Sequence, residues 1–411
     1  MKLHRLNHHS SPSHKALEHN IMKNYIYTFL ESFNITSGVW MLYLAYKGLS
    51  LFEIGLMEAI FHITSFTMEI PTGIIADLLG RKTSRVLGRL VAILSTILMI
   101  FSSSTLGFAI SFIFSALSYN LETGAGDALV FDSMKEIGEE GKYMKVKGKV
   151  EVMFQIANAM ALPLGGYIAM LDYGNVYKLA MIVGVVTFLQ SLSFVEPTVG
   201  KVAPRENPLA TFVHQLKDSF SVIRQSKQLS FLIIMSESFA VFATTTFFYI
   251  QNFLLMNGRS QFRIGLVLAI GALLSALAAS QAHRLEKKFG YKKTLSFVLI
   301  AGVFFLWLMV TGTYSELGII GLSAIEAVEY VVMSDYINRL IPSERRATIL
   351  SMQSMVFSFF MIIIFPIVGL VGDLFNLQIS FMMIAALSTL VSFIMLRKIS
   401  KNPEGTDSTT I

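Results

Sequence analysis

Long apolar segments recur along the whole chain, and they constrain its fold more than any other feature. We delimit twelve of them, and most have about 20 residues, the length that an α-helix needs to cross the hydrocarbon core of a bilayer. Charged residues make up 15% of the 411 positions, whereas soluble domains carry about 25%. The sequence therefore predicts an all-α membrane protein with twelve transmembrane helices.

Basic residues are distributed unevenly between the two ends of these predicted helices. Of the 33 lysines and arginines, all but four fall on one side, and the four are Lys47, Lys178, Arg259 and Arg263. Lysine and arginine are enriched in the cytoplasmic loops of membrane proteins. We therefore expect a multi-pass protein with both termini in the cytoplasm, and we interpret its net charge of +6 as an orientation signal rather than a nucleic-acid-binding surface.

One long stretch without a predicted span divides the chain. Prolines 197, 204 and 208 interrupt it, and the apolar residues after Pro208 recur at helical spacing, which predicts an amphipathic helix on the membrane surface. The predicted organisation is a cytoplasmic tail over 1–22, a six-helix bundle over 23–195, a linker over 196–228, a second six-helix bundle over 229–396 and a tail over 397–411.

The two predicted bundles share three features at an offset of 203 residues. Each has an aspartate at the end of its fourth helix and a Pro-x-x-Gly in its fifth helix. The matching positions are Asp132 with Asp335, Pro163 with Pro366 and Gly166 with Gly369. Because a proline inside a helix removes a backbone hydrogen bond, the two prolines and two glycines are candidate helix-bend positions.

The turn after the second predicted helix has a distinctive sequence. It reads Gly73-Ile-Ile-Ala-Asp77-Leu-Leu-Gly80-Arg81-Lys82 and resembles the signature loop of the major facilitator superfamily of secondary transporters. Two further stretches, Glu69-Ile-Pro-Thr-Gly73 and Phe131-Asp132-Ser133, resemble a bacterial branch related to drug- and tetracycline-type efflux proteins. The resemblance implies two pseudo-symmetric six-helix bundles around a central cavity, in the cytoplasmic membrane of a bacterium.

The same resemblance implies a conformational latch. In the family, the loop aspartate faces the eleventh helix, and the loop arginine pairs with an aspartate that closes the fourth helix. The latch residues expected here are Gly73, Asp77, Gly80, Arg81, Lys82 and Asp132, with Asp335 and Arg339 (or Arg284) as the second-half counterpart. The alternative is that these charges only fix the orientation of the chain in the membrane.

Eight acidic residues fall inside the predicted spans, and we find no lysine or arginine deep in any span to pair with them. They are Glu31, Glu58, Glu69, Glu122, Asp127, Glu237, Glu326 and Glu329. Charged side chains inside a membrane are costly and therefore usually functional, although some acids can be purely structural. The candidates for proton or substrate binding are Glu31, Asn34, Glu69, Asn120, Glu122, Asp127 and Glu237.

Two positions depart from the drug–proton antiporters of the family. Asn120 stands where those proteins carry an arginine, and Leu162-Pro163-Leu164-Gly165-Gly166 is one residue shorter than their fifth-helix motif. We predict a secondary active transporter that works by alternating access and exports an amphipathic, cationic drug or metabolite in exchange for protons. An importer of a small nutrient and a non-transporting membrane sensor remain as alternatives.

Other classes of protein are disfavoured. The sequence has no phosphate-binding Gly-x-x-x-x-Gly-Lys-Ser/Thr motif, so an ATP-driven pump is not expected. It has no cysteine and no pair of histidines at metal-ligand spacing within a span. We therefore expect no enzymatic activity, no cofactor and no metal site, and a monomer suffices for the predicted architecture.

Overall fold

The computed structural model describes residues 13–198, 227–341 and 346–401, and fourteen α-helices account for nearly all of them. They are α1 His14–Ser32, α2 Trp40–Tyr46, α3 Leu51–Leu79, α4 Arg81–Phe101, α5 Thr105–Glu122, α6 Ala125–Glu136, α7 Tyr143–Leu171, α8 Tyr173–Leu192, α9 Lys227–Met256, α10 Gln261–Phe289, α11 Tyr291–Val310, α12 Ser315–Leu340, α13 Arg346–Leu374 and α14 Leu377–Lys401.

Ten helical segments are long and apolar enough to cross a membrane. The remaining two crossings are broken helices, with α1 and α2 interrupted over 33–39 and α5 and α6 interrupted at Thr123 and Gly124. At the first break, the Asn34 side chain accepts hydrogen bonds from the backbone and hydroxyl of Thr36, at 3.2 and 2.7 Å. The all-α fold with twelve transmembrane helices is confirmed.

The chain ends differ from the prediction. Helix α1 begins at His14, so part of the predicted tail 1–22 is helical. The Ser13 hydroxyl caps this helix by accepting from the Ala16 amide at 3.3 Å, a favourable contact at a helix start. Residues 1–12, the predicted amphipathic helix after Pro208 and the tail beyond Lys401 lie outside the described residues.

The bundle has two different ends, a basic end and a sealed end. The basic end carries the α3–α4 turn with Arg81 and Lys82 and the α10–α11 turn with Lys292 and Lys293. Each of these turns consists of one glycine with a positive φ, 99° at Gly80 and 74° at Gly290. Only glycine adopts such angles without steric cost, so the two turns explain why both halves place a glycine just before a pair of basic residues.

The sealed end is the opposite end, where the first six crossings and the last six pack together. A Cβ atom added to Gly55 of α3 would lie 2.7 Å from the Cα of Pro366 in α13, and one added to Gly265 of α10 would lie 2.9 Å from the Cα of Pro163 in α7. The two helix pairs thus cross at equivalent places, next to the prolines that the 203-residue offset relates.

Gly166 and Gly369 take part in the same crossings. A Cβ atom at Gly166 would lie 2.3 Å from the carbonyl oxygen of Gln261, and one at Gly369 would lie 2.2 Å from that of Leu51. Both glycines therefore permit close backbone contact between the halves. A bend at these positions stays a prediction.

Candidate functional site

A cavity of about 850 Å³, the central cavity, lies between the two halves of the chain. Helices α3, α5 and α6 line it from one side, and α9, α12 and α13 line it from the other. Its polar lining includes His62, Ser65, Glu69, Asn120, Asp127, Ser236, Glu237, Ser334, Asn338, Gln353 and Ser358. No lysine or arginine belongs to the lining within the described part of the chain, so the cavity is acidic.

Hydrogen bonds close the sealed end above this cavity. The Asp373 carboxylate at the end of α13 accepts from the backbone amides of Leu51 and Phe52, at 3.0 and 2.8 Å. The Gln251 amide of α9 donates to the Ser37 carbonyl at 3.2 Å. An anion at a helix start interacts favourably with its free amides and dipole, so Asp373 fastens the start of α3 to the second half.

The predicted latch is at the basic end, and its members are not all in contact. Arg81 pairs with Asp77 at 2.7 Å, one helical turn away. Within the described residues no hydrogen bond or ion pair joins Arg81 to Asp132. A Cβ atom added to Gly73 would meet nothing within 4 Å, and the Asp77 side chain is 48% exposed. Among the described residues, no hydrogen bond or ion pair joins the end of α3 around Gly73 and Asp77 to the second half, and the latch stays a prediction.

Glu196 is the residue at this turn that the sequence analysis missed. Its carboxylate accepts from the backbone amides of Arg81 and Lys82, at 2.6 and 2.7 Å, and so caps the start of α4. The second-half counterpart of the latch stays a prediction. The Arg339 side chain lies outside the described residues, and Arg284 donates to Gln281 at 2.9 Å.

Two arginines in α4 contradict the expectation that no base lies deep in a span. Arg85 is buried, and its Nε donates to Glu122 at 2.8 Å while its Nη1 donates to Asn24 at 2.8 Å. Arg89, one turn further, approaches Glu31 at 3.5 Å. Because α4 begins at Arg81, one and two helical turns carry these guanidinium groups into the first six crossings, so the expectation of a membrane interior without bases is wrong.

The Arg85 guanidinium and its partner Glu122 have further polar and aromatic contacts. The Tyr27 hydroxyl donates to the second oxygen of Glu122 at 2.7 Å. The guanidinium carbon lies 4.0 Å from the centre of the Tyr27 ring and 4.8 Å from that of Phe194, distances typical of cation–π contacts. Glu122 does not belong to the lining of the central cavity or to that of the smaller cavity beside Arg89. Its position therefore suits a structural role better than substrate contact.

The other first-half candidates occupy different surroundings. Asp127 lines the central cavity but is exposed, and Lys147 of α7 holds it at 2.7 Å. Asn120 lines the cavity and exchanges hydrogen bonds with Ser65, at 2.7 and 2.6 Å. Glu69 lines the same cavity. Glu31 and Asn34 line a second cavity, which is formed mainly by the first six crossings.

Two buried acids of the second half, Glu237 and Glu329, have no cationic partner among the described residues, whereas Glu316 at the sealed end pairs with Arg259 and Arg263. Glu237 of α9 is 6% exposed, lines the central cavity and accepts from the Gln353 amide at 2.6 Å. Glu329 of α12 is 2% exposed; the Ser236 hydroxyl donates to it, and its Oε1 has no hydrogen-bond partner. A buried carboxylate without a cation is costly, so these groups are suited to carrying a proton.

The sequence is similar to those of known membrane transporters. The sequence profile of the Major Facilitator Superfamily matches residues 24–325 and 255–410. An uncharacterized MFS-type transporter of Bacillus subtilis (strain 168), YxaM, is 25% identical over 377 residues, covering 90% of this chain and 93% of the relative.

Solved structures share the fold at low sequence identity. A mutant of the nucleoside transporter NupG superposes with a TM-score of 0.80 at 15% identity, over 92% of this chain and 99% of that chain. A bacterial homologue of the human lysosomal transporter Spinster, inward-facing and unoccupied, superposes with a TM-score of 0.71 at 14% identity, over 95% of this chain and 99% of that chain.

Proposed function

Because the chain belongs to the major facilitator superfamily, we propose that this secondary transporter exports an amphipathic, cationic small molecule in exchange for protons, with Glu237 as the proton-binding group. The observation that carries the proposal is the setting of Glu237. Its carboxyl group is buried at the wall of the central cavity, and among the described residues it accepts from the Gln353 amide rather than pairing with a cation.

The charge of the central cavity supports a cationic substrate. Glu69, Asp127 and Glu237 line it, and Lys147 pairs with Asp127. Phe61, Phe66, Tyr119 and Phe357 contribute aromatic surface to the same lining. Aromatic faces attract organic cations and accept their apolar parts, so the acids and rings together suit an amphipathic cation.

The conformation supports loading from the cytoplasm. If the basic end faces the cytoplasm, as the distribution of lysine and arginine favours, the central cavity opens inward and the sealed end faces outward. A cationic substrate would then enter near Glu237 and displace its proton. After the sealed end opens, an external proton would return to Glu237 and release the substrate, which couples the two fluxes through one carboxyl group.

The proposal is tested by proton movement in everted membrane vesicles. Cationic dyes and antibiotics are added to energised vesicles that contain the parent protein, and the loss of the pH gradient is followed with a pH-sensitive fluorophore. We expect at least one compound to dissipate the gradient in the parent and none to do so with Glu237→Gln. Asp127→Asn is the matched control. It removes an acid of the same cavity that already has a cationic partner, so this variant should still dissipate the gradient.

Two results would overturn this assignment. If no cation in the panel moves protons through the parent, proton-coupled export of cations is wrong. If Glu237→Gln moves protons as the parent does, another group carries the proton.

A further inference from the structure

The second cavity, of about 410 Å³, is formed mainly by the first six crossings, and we call it the N-bundle cavity. Helices α1, α2, α3, α4, α5 and α8 line it, and Phe248 of α9 is its one lining residue from the second half among the described residues. Its charged lining consists of Glu31, Glu58 and Arg89. Trp40, Phe112 and Phe248 contribute aromatic rings, and of the residues that line the central cavity only Phe61 is shared, within the described part of the chain. The cavity is therefore a separate compartment with its own charges.

Arg89 differs from its neighbour Arg85 in how its donors are used. The Arg85 guanidinium bonds Glu122 and Asn24 and stacks on two rings. Arg89 has one hydrogen bond among the described residues, a 3.5 Å contact from Nη2 to Glu31, and its Nε is buried without a partner. The Arg89 guanidinium carbon also lies 5.8 Å from the centre of the Tyr27 ring. A guanidinium has five N–H donors in a planar fork, so most of the Arg89 donors are unused among the described residues, and Arg89 lines the N-bundle cavity.

The unused fork fits a carboxylate. Arginine binds carboxylates through two parallel charge-assisted hydrogen bonds, whereas the contact to Glu31 is longer than the usual 2.7–3.2 Å. A dianion such as phosphate suits the cavity poorly, because one arginine would face it together with the two carboxylates of Glu31 and Glu58. A single carboxylate on the ligand would satisfy Arg89 with the smallest added negative charge.

The two acids then call for a cation on the same ligand. A ligand carboxylate at Arg89 adds a third negative charge beside Glu31 and Glu58, which one guanidinium cannot balance. Among the described residues, the one ion-pair contact of Glu58 is to His62 at 3.5 Å. An ammonium group on the ligand would restore the charge balance at Glu31. We propose that the N-bundle cavity binds a small zwitterion with an aromatic body, whose carboxylate pairs with Arg89 and whose ammonium faces Glu31.

This site goes beyond the proposed exchange of cations for protons, because none of its charged residues lines the central cavity. Its test is equilibrium binding to purified protein in detergent, without a proton gradient. The probes are phenylalanine, 3-phenylpropanoate and 2-phenylethylamine, which share one ring but carry both charges, the carboxylate alone and the ammonium alone. Calorimetry on the parent is expected to show phenylalanine binding at least about tenfold more tightly than either analogue.

Variants separate the two charges of the site. Arg89→Lys keeps the charge but loses the fork, so it should weaken phenylalanine binding about tenfold, and Arg89→Gln should abolish it. Glu31→Gln should remove the preference for the ammonium, so that 3-phenylpropanoate binds as tightly as phenylalanine. Arg263→Gln is the control, because that guanidinium lies 58% exposed at the sealed end and should leave all three affinities unchanged.

The probe series decides the proposal even if a variant does not fold. Absence of phenylalanine binding to the parent, or equal affinities for the three probes, would overturn it. Unchanged affinity in folded Arg89→Gln protein would also overturn it. None of these results bears on proton exchange at Glu237, which the vesicle experiment measures separately.

Discussion

Buried acids in the two halves of this transporter are stabilised in different ways. In the first half, Glu122 bonds Arg85 and Glu31 lies beside Arg89. In the second half, Glu237 bonds an amide, and Glu329 accepts from a hydroxyl. An ion pair holds a carboxylate in its charged form, whereas a carboxyl with only neutral partners can gain and lose a proton with little rearrangement. Glu122 and Glu31 thus lie beside cations, whereas Glu237 and Glu329 have the neutral surroundings that the proposed proton exchange requires.

The most disruptive test of this contrast is Arg85→Gln. It leaves the Glu122 carboxylate buried without its cation, and breaking a buried pair in this way costs about 3–5 kcal/mol. We expect a large drop in the thermal unfolding temperature of the purified protein. The double variant Arg85→Gln with Glu122→Gln should recover part of the loss, because no charge is left unpaired. Equal stability of Arg85→Gln and the parent would contradict the contrast.

Glu237→Gln should abolish the coupling between substrate and proton transport but change the stability of the protein little. The amide can keep the hydrogen bond with Gln353, and no cation loses a partner, so we expect a change in the free energy of unfolding within about 1 kcal/mol. In the thermal assay used for Arg85→Gln, the unfolding temperature of Glu237→Gln should be close to that of the parent. A loss as large as that of Arg85→Gln would mean that Glu237 is structural.

The sealed end offers a test with a smaller effect. Asp373→Asn removes the negative charge that holds the start of α3 to α13, an interaction of about 0.3–1 kcal/mol. The outward-open population should rise up to about fivefold, and spin labels on cysteines at Tyr46 and Met256 would report longer distances. The chain has no native cysteine, so the labels are specific.

Asp172→Asn is the matched control for the sealed end. Asp172 caps α8 through the Asn175 amide at 3.1 Å, but both residues belong to the first half. Its substitution should leave the distance distribution unchanged. If both variants broaden the distribution equally, helix capping in general, rather than the contact between the halves, determines the conformation.

The smallest effect is expected from Glu329→Gln. Among the described residues, the Oε1 of Glu329 has no hydrogen-bond partner. Replacing the carboxyl group with an amide therefore breaks no hydrogen bond at that oxygen. We expect the thermal unfolding temperature to stay within a few degrees of the parent. A strong destabilisation would point to a cation that approaches Glu329 in another conformation.

Much of the fold was accessible from the sequence, because span length and the positions of basic residues are local properties. The glycine turn before Arg81 and the placement of Glu237 at the cavity also followed from local sequence. The signal for Arg85 and Arg89 was present in their spacing of one helical turn and in Ser84 and Gly88 beside them, which allow close packing. The burial of Arg85 and Arg89 does not follow from this local pattern alone, because basic residues next to a cytoplasmic turn usually remain at the membrane surface.

Other contacts could not be predicted from one sequence. Glu196 caps a helix that starts 115 positions earlier, and Asp373 reaches a helix start 322 positions away. Such pairs depend on how the helices assemble, which no local pattern encodes. The close packing at Gly55 and Gly265 has the same origin, since each glycine is needed only because a proline-containing helix crosses it.

The central claim is that the second half exchanges the proton, and proton release on substrate binding tests it most directly. A cation that the parent transports is added to purified protein in weakly buffered detergent solution, and the released protons are counted with a pH indicator. The account predicts release of about one proton per bound cation from the parent and from Asp127→Asn, and none from Glu237→Gln. Undiminished release from Glu237→Gln would contradict it.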